Sequence, residues 1–145
     1  MKTAKDPRHL KRIKSFKSLF ANSFLKQEHF NQLAKKTAKH LKEIDPIITK
    51  SAPEWPIEQI NKIDLAILRL ATYELLYQPQ TPTKVIIDEA IEIGKRYGSK
   101  NSGSFINGAL ATVLKHVNRQ TDQDQNNDDD HKKNINKKKK TKNED

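Results

Sequence analysis

Basic residues are concentrated at the start of the chain. Residues 1–26 contain eight of the 28 Lys and Arg residues but a single acid, Asp6, and they carry most of the formal net charge of +10. At helical spacing, four of these cations are expected on one solvent-facing arc. They are Arg8, Lys11, Arg12 and Lys14. Positive charge without interspersed acids is typical of a surface that binds a polyanion, nucleic acid before membrane. The rings of His9 and Phe20 would offer base-stacking surfaces beside these cations.

No catalytic or metal-binding constellation emerges from the remaining polar residues. The chain has no cysteine, which excludes disulfides and thiolate metal sites, and its five histidines are scattered without a ligand spacing. Asp88, Glu89 and Glu92 are close in sequence, but Lys84–Asp88 and Glu92–Arg96 have the four-residue spacing of solvent-facing helix pairs. We therefore expect no enzymatic activity, no cofactor and no metal site.

Three glycines, Gly98, Gly103 and Gly108, are spaced five residues apart beside Ser, Lys and Asn. They fail both phosphate-binding motifs, because Ser104 stands where a Lys is required and a helix, not a strand, is expected before them. We interpret the stretch as a helix stop at Gly98, a short exposed loop, a cap at Ser99 or Ser102, and a last helix that contains Gly108. A glycine inside a helix costs about 1 kcal/mol relative to alanine. Either close helix packing or the approach of an RNA backbone would offset that cost.

Helical periodicity predicts an all-α, compact bundle of about five helices. The first four segments are residues 6–25, 29–48, 57–78 and 81–98, and the fifth ends near residue 118. Pro46 is expected to bend or end the second segment. The third is apolar nearly all round and should be the buried central helix. Trp55, between two prolines, is expected to cover the core; base stacking is the alternative.

The end of the chain has a different composition. From about residue 119 it consists mainly of Asp, Asn, Gln and Lys, with Ile135 as its one aliphatic residue. We expect a helical domain at 1–118 and a disordered charged tail at 119–145, with an auxiliary RNA-binding role for Lys137–Lys140 as the alternative. Because the sequence has neither a signal peptide nor an apolar run of membrane-spanning length, we expect a cytoplasmic protein.

Three sequence blocks in the second half of the chain follow one another in a specific order. They are Ile67–Leu75, Pro82 with Lys84–Ile91, and Gly98 with Ser102 and Phe105–Leu110. Over about residues 53–118 their order and spacing resemble the NusB family of bacterial transcription antitermination factors. The first helix resembles the family's Arg-rich first helix more loosely.

The resemblance implies two small helical bundles without enzymatic activity. It implies binding to boxA-type single-stranded RNA of ribosomal RNA leader transcripts together with the ribosomal protein NusE, as part of the RNA polymerase elongation complex. By position, it assigns RNA contacts to one group of residues. These are Arg8, His9 and Arg12 with Phe20 nearby, and Lys100, Asn101, Ser102 and Phe105. Glu74 and Tyr77 would face the ribosomal-protein partner.

Two departures from the family pattern bear on these expectations. Only "KQEH" connects the first two helical segments, where the family has an additional helical stretch. The N-terminal bundle is therefore reduced, and we expect a monomer or weak homodimer. Asn101 stands where the family often has an acid, which should favour RNA binding. Two alternatives stay open: an RNA-recognition domain related to those of ribosomal RNA methyltransferases, and a helical scaffold whose basic helix is only solvated.

Overall fold

The computed structural model describes residues 6–24 and 31–119. These residues form six α-helices and one 3₁₀ turn, with no strand among them, so the all-α prediction is confirmed. The helices are α1 (Pro7–Asn22), α2 (Gln32–Lys39), α3 (Leu41–Ser51), α4 (Lys62–Tyr77), α5 (Thr83–Tyr97) and α6 (Ser102–His116). None of them is long and apolar enough to cross a membrane. The "KQEH" connection and residues 120–145 lie outside the described part of the chain.

The helix count differs from the expected five because the second predicted segment is two helices. The break falls at His40, whose φ of −111° and ψ of 17° are not helical. Pro46, where a bend or an end was expected, lies inside α3, which continues to Ser51. Because Pro46 is exposed, the carbonyl left without its helical partner can be hydrated.

Helix α4 is the centre of the molecule and packs against all five other helices. Eleven of its 16 residues are buried, including Ile67 and Leu68 at 2% exposure or less. The apolar pattern of the third segment is thus confirmed as that of a central helix. Asn61 begins it by accepting a hydrogen bond from the backbone N–H of Ile63 at 2.8 Å.

The ends of the other helices agree with the sequence in part. Asp6 caps α1 by accepting from the N–H of Arg8 at 2.8 Å, and Gly98 ends α5 as expected. Pro82 occupies the cap position of α5, where Thr81, a residue type that favours caps, directly precedes it. The cap position of α6 is Asn101, whose side chain forms no capping hydrogen bond. The expected cap at Ser99 or Ser102 is therefore wrong.

Gly108 is not a site of close helix packing. A Cβ built there meets nothing within 4 Å, whereas one at Gly98 would lie 2.3 Å from the Ser102 Oγ. The tight approach is therefore at Gly98, between the end of α5 and the start of α6. Trp55 does not cover the core as expected: it is 50% exposed and lines a shallow groove of about 330 Å³ that Gly108 also lines.

Candidate nucleic-acid interface

Helix α1 presents a row of cations to solvent. Arg8, Lys11 and Lys14 are exposed, with 85% of the Arg8 side chain accessible; we call these three residues the cationic face of α1. Asp6 lies 3.7 Å from the Arg8 guanidinium, and within the described ranges no acid pairs with Lys11 or Lys14. The Arg8 N–H bond lowers the pKa of the Asp6 carboxyl, so the α1 cap is charged at neutral pH. This face is an exposed cationic surface suited to phosphate groups.

Arg12 does not belong to that face, contrary to the expected arc. It is 6% exposed, and its Nε donates to both carboxylate oxygens of Glu74 at 3.0 and 3.1 Å. Its Nη2 lies 2.9 Å from the Glu74 Oε1. Glu74, expected to face a protein partner, is itself buried at 3% exposure. The pair joins α1 to the last turns of α4, and neither charge is displayed on the surface.

His9 also points inward. Its Nδ1 lies 2.6 Å from the Glu89 Oε2, and both side chains are buried. Glu89 was expected among solvent-facing helix pairs; the structure instead uses it to hold α1 against α5. Possible ligand atoms of His9, Glu89 and the exposed Glu92 lie within 4.8 Å of one another. The short His9–Glu89 hydrogen bond already accounts for two of these groups, and we assign no metal to them.

The loop before α6 divides into exposed and buried parts. Lys100 and Asn101 are exposed, whereas Ser102 is fully buried and its Oγ accepts from the N–H of Ser99 at 2.8 Å. Burial raises the pKa of the Asp64 carboxyl, in the first turn of α4, above its ordinary value. A hydrogen bond from Ser102 lowers the same pKa, but by less. Ser102 therefore shapes the loop from inside and does not itself form a contact surface.

Aromatic rings connect this loop to the far end of α1. The ring of Phe16 packs 5.4 Å from that of Tyr97, the residue before Gly98, and Lys17 places its Nζ 5.1 Å from the same ring. Phe20 is half-buried and packs between the tilted ring of Phe16 and the ring of Phe24, which it meets edge to face. Phe20 is 12 residues from Arg8, about 18 Å along a helix. The exposed predicted residues thus lie in two places, the cationic face of α1 and the loop at Lys100 and Asn101, and Phe20 is connected to the end of α5 through Phe16 and Tyr97.

A cleft of about 870 Å³ opens beside the cationic face. Arg8 and Lys11 line one side, and the α4–α5 connection with the start of α5 lines the other. The residues on that second side include Gln78, Gln80, Thr81, Pro82, Lys84 and Asp88. The cleft was not predictable from the sequence, because no local pattern brings the end of α4 against the start of α1.

Arg119 fixes the connection that lines the cleft. Its Nη1 donates to the backbone carbonyls of Glu74 at 3.0 Å and Leu75 at 3.1 Å, and its Nη2 donates to that of Thr81. The carbonyl of Leu75 lies in the last turn of α4, where helical partners are lacking, whereas that of Glu74 also accepts from the N–H of Gln78 at 3.0 Å. Arg119 was assigned to the tail; the structure shows it capping α4.

Comparisons with known proteins agree on one family. The model described as the NusB family matches residues 8–115. A Thermotoga maritima protein named transcription antitermination protein NusB is 38% identical, with 77% of this chain and 92% of the relative covered. The protein of the same name from Herpetosiphon aurantiacus is 48% identical, but the match covers 50% of this chain and 51% of the relative. The chain thus spans about half the length of some curated relatives and most of the length of others.

Solved structures show the same likeness. The structure of T. maritima NusB covers 81% of this chain and 94% of its own, at 35% identity and a TM-score of 0.70. The antitermination factors NusB and NusE have been crystallised in complex with dsRNA; that match has 21% identity, a TM-score of 0.66 and coverage of 77% and 100%. At that identity the second likeness concerns the fold alone. From the extent of the family match and the similarity to the Thermotoga protein, the chain belongs to the NusB family.

Proposed function

We propose that this chain is a non-catalytic, RNA-binding transcription antitermination factor. It binds boxA-type single-stranded RNA of ribosomal RNA leader transcripts together with the ribosomal protein NusE and acts in the cytoplasm on the RNA polymerase elongation complex. The names of the relatives support the antitermination role. The crystallised complex supports the partners by analogy of fold.

The observation that carries the RNA part of the proposal is the cationic face of α1. Arg8, Lys11 and Lys14 stand in solvent on one helix. Glu74 is buried against Arg12 and Glu89 against His9, which leaves Asp6, 3.7 Å from Arg8, as the acid that pairs with this face. The face therefore keeps its positive charge available for phosphates. Arg12 and His9 act on RNA binding indirectly, because their buried pairs hold α1 in place.

The second group of residues extends the same proposal. Lys100 and Asn101 are exposed at the start of α6, with Phe105 half-buried next to them. We propose that they and Phe20 lie beside the RNA path or the NusE surface at the far end of α1. Asn101 carries no negative charge, so Asn101→Asp should weaken RNA affinity in a salt-controlled titration. The helical domain at 1–118, with Arg119 capping α4, carries these contacts as a monomer or weak homodimer.

The test is a titration of a fluorescent boxA-type RNA at several salt concentrations. In Arg8→Gln/Lys11→Gln/Lys14→Gln, the slope of log affinity against log salt should decrease by about 2, because each phosphate contact to a single strand contributes about 0.7. The matched control neutralises three exposed lysines on α3 and α6, as Lys42→Gln/Lys50→Gln/Lys115→Gln. Equal slopes for the two triple variants would mean that α1 is only solvated, which is the scaffold alternative.

A further inference from the structure

Three rings meet where α2, α3 and the end of α4 come together. The His40 ring centroid lies 4.3 Å from that of Tyr77 and 5.7 Å from that of Tyr73, and the two tyrosine rings are 5.2 Å apart. Tyr73 is buried, whereas Tyr77 is 41% exposed. The Tyr77 ring is therefore supported from behind by two other rings and keeps part of its surface in solvent.

The neighbouring helix brings only positive charge to this ring. Helix α2 contains Lys35, Lys36 and Lys39, all exposed, and no acid. Lys36 is four residues before His40, so the two share one side of the helix. The His40 Nδ1 lies 2.8 Å from the backbone carbonyl of Lys36, which fixes the ring orientation and requires Nδ1 to carry the proton. An aromatic surface thus lies next to a helix whose exposed charges are all positive.

The ring cluster also adjoins the cleft beside the cationic face of α1. Glu74, one helical turn before Tyr77, and Gln78, directly after it, both line the cleft, as does Leu33 of α2. Arg8 and Lys11 line the opposite side. An RNA strand that contacts the cationic face and crosses this cleft reaches the end of α4, where Tyr77 is exposed.

We propose that Tyr77, supported by His40, is a stacking surface for an unpaired base of the RNA that binds the cationic face of α1, and that Lys36 contacts the adjoining phosphate. This inference rests on the proposed function and extends its footprint from α1 across the cleft to α2. Aromatic rings next to cations are the elements with which proteins hold single-stranded RNA, and every base has a face that can stack.

The charge around Tyr77 favours RNA over a protein partner, which is the role that the family resemblance gave to this residue. Protein interfaces are depleted in lysine at their centres, because burying an ammonium group costs solvation. The three exposed lysines of α2 outnumber the exposed acid in the first turn of α3, Glu43, and this excess of positive charge fits a polyanion better. The other assigned partner residue, Glu74, is already engaged by Arg12.

The experiment measures the affinity of a short single-stranded boxA-type RNA for the wild type and four variants. Tyr77→Leu, which removes the ring but keeps an apolar side chain, should weaken binding about tenfold, and Tyr77→Phe should stay within about twofold. Lys36→Gln should lower the salt slope by about 0.7. The control is Trp55→Leu, since Trp55 is 50% exposed against 41% for Tyr77 but follows the opposite end of α3; the RNA affinity of this variant should be unchanged.

Stacking has a second readout, recorded at saturating protein so that the RNA is bound by every variant compared. A 2-aminopurine base at the position that stacks on Tyr77 should be quenched by the wild type and by Tyr77→Phe, but not by Tyr77→Leu. If Tyr77→Leu fails to fold, the exposed Lys36→Gln variant still decides the phosphate contact.

Two results would overturn the inference while leaving the proposed function intact. In the first, the α1 triple variant loses affinity but Tyr77→Leu and Lys36→Gln bind as the wild type does. In the second, Tyr77→Leu weakens capture of purified NusE and leaves RNA affinity unchanged, which assigns Tyr77 to the protein partner. Failure of the wild type to bind the RNA at all would overturn both proposals.

Discussion

The buried pair between Arg12 and Glu74 gives a prediction that separates structural cations from RNA-binding ones. Replacing Arg12 by Met leaves the Glu74 carboxylate, 3% exposed, without its bidentate partner. Breaking a buried pair by removing one member costs about 3–5 kcal/mol, because a buried charge remains uncompensated. That is a large share of the roughly 5–15 kcal/mol by which a domain is stable. Arg12→Met should lower the thermal midpoint by more than about 10 °C.

The assay is urea unfolding followed by circular dichroism, with a double-mutant cycle. Arg12→Met/Glu74→Leu should recover most of the lost stability, since an apolar pair of similar volume often replaces a buried ion pair without loss. Arg8→Gln is the matched control one turn away. Because Arg8 is exposed, the unfolding midpoint of this variant should equal that of the wild type while its RNA affinity falls. If Arg12→Met unfolds at the wild-type midpoint, or if the double variant is no more stable than the single one, the structural role of the pair is refuted.

Three further predictions concern stability. Gly108→Ala should stabilise the chain by about 1 kcal/mol in urea unfolding, because a Cβ there is unobstructed. Gly98→Ala should destabilise it, because the new Cβ would clash with Ser102. The opposite order of stability would contradict the packing described for the start of α6. Burial holds the pKa of Asp64 above its ordinary value of 3.8, so the folded state binds the proton more tightly and stability decreases as pH rises above about 4. Asp64→Asn should remove that decrease and be more stable than the wild type at neutral pH; a pH profile unchanged by the substitution would contradict this. Arg119→Gln should cost about 1–3 kcal/mol by releasing the carbonyls at the end of α4, and an unchanged unfolding midpoint would count against that cap.

The sequence was sufficient for the elements that local rules determine. Periodicity and the Asp6 cap predict α1, the apolar run predicts a buried α4, and Gly98 predicts the end of α5, all of which the structure confirms. The break at His40 carries no proline or glycine, so no local rule predicts it. It follows from how α2 and α3 each pack against α4.

The orientation of α1 shows why part of the site was placed wrongly. The expected apolar arc ran through Leu10, Ile13, Phe16, Phe20 and Phe24, but Leu10 is 43% exposed and Leu19 is buried. At about 100° per residue, Arg12 lies between Leu19 and Phe16 around the helix, so an arc that includes both turns Arg12 inward. Arg8 lies on the other side of Leu19, outside that arc, and is exposed. The buried Leu19 was the one local signal for this orientation. The acids that receive Arg12 and His9 are 62 and 80 residues away, and no local pattern specifies such contacts.

The central claim is that the chain recognises boxA-type RNA together with NusE. The most direct measurement is the affinity of the wild-type chain for a boxA-type single strand and for a scrambled strand of equal composition, each with and without purified NusE. The account predicts tighter binding to the boxA strand, a preference that grows when NusE is present. Equal affinities for the two strands, with and without NusE, would contradict it.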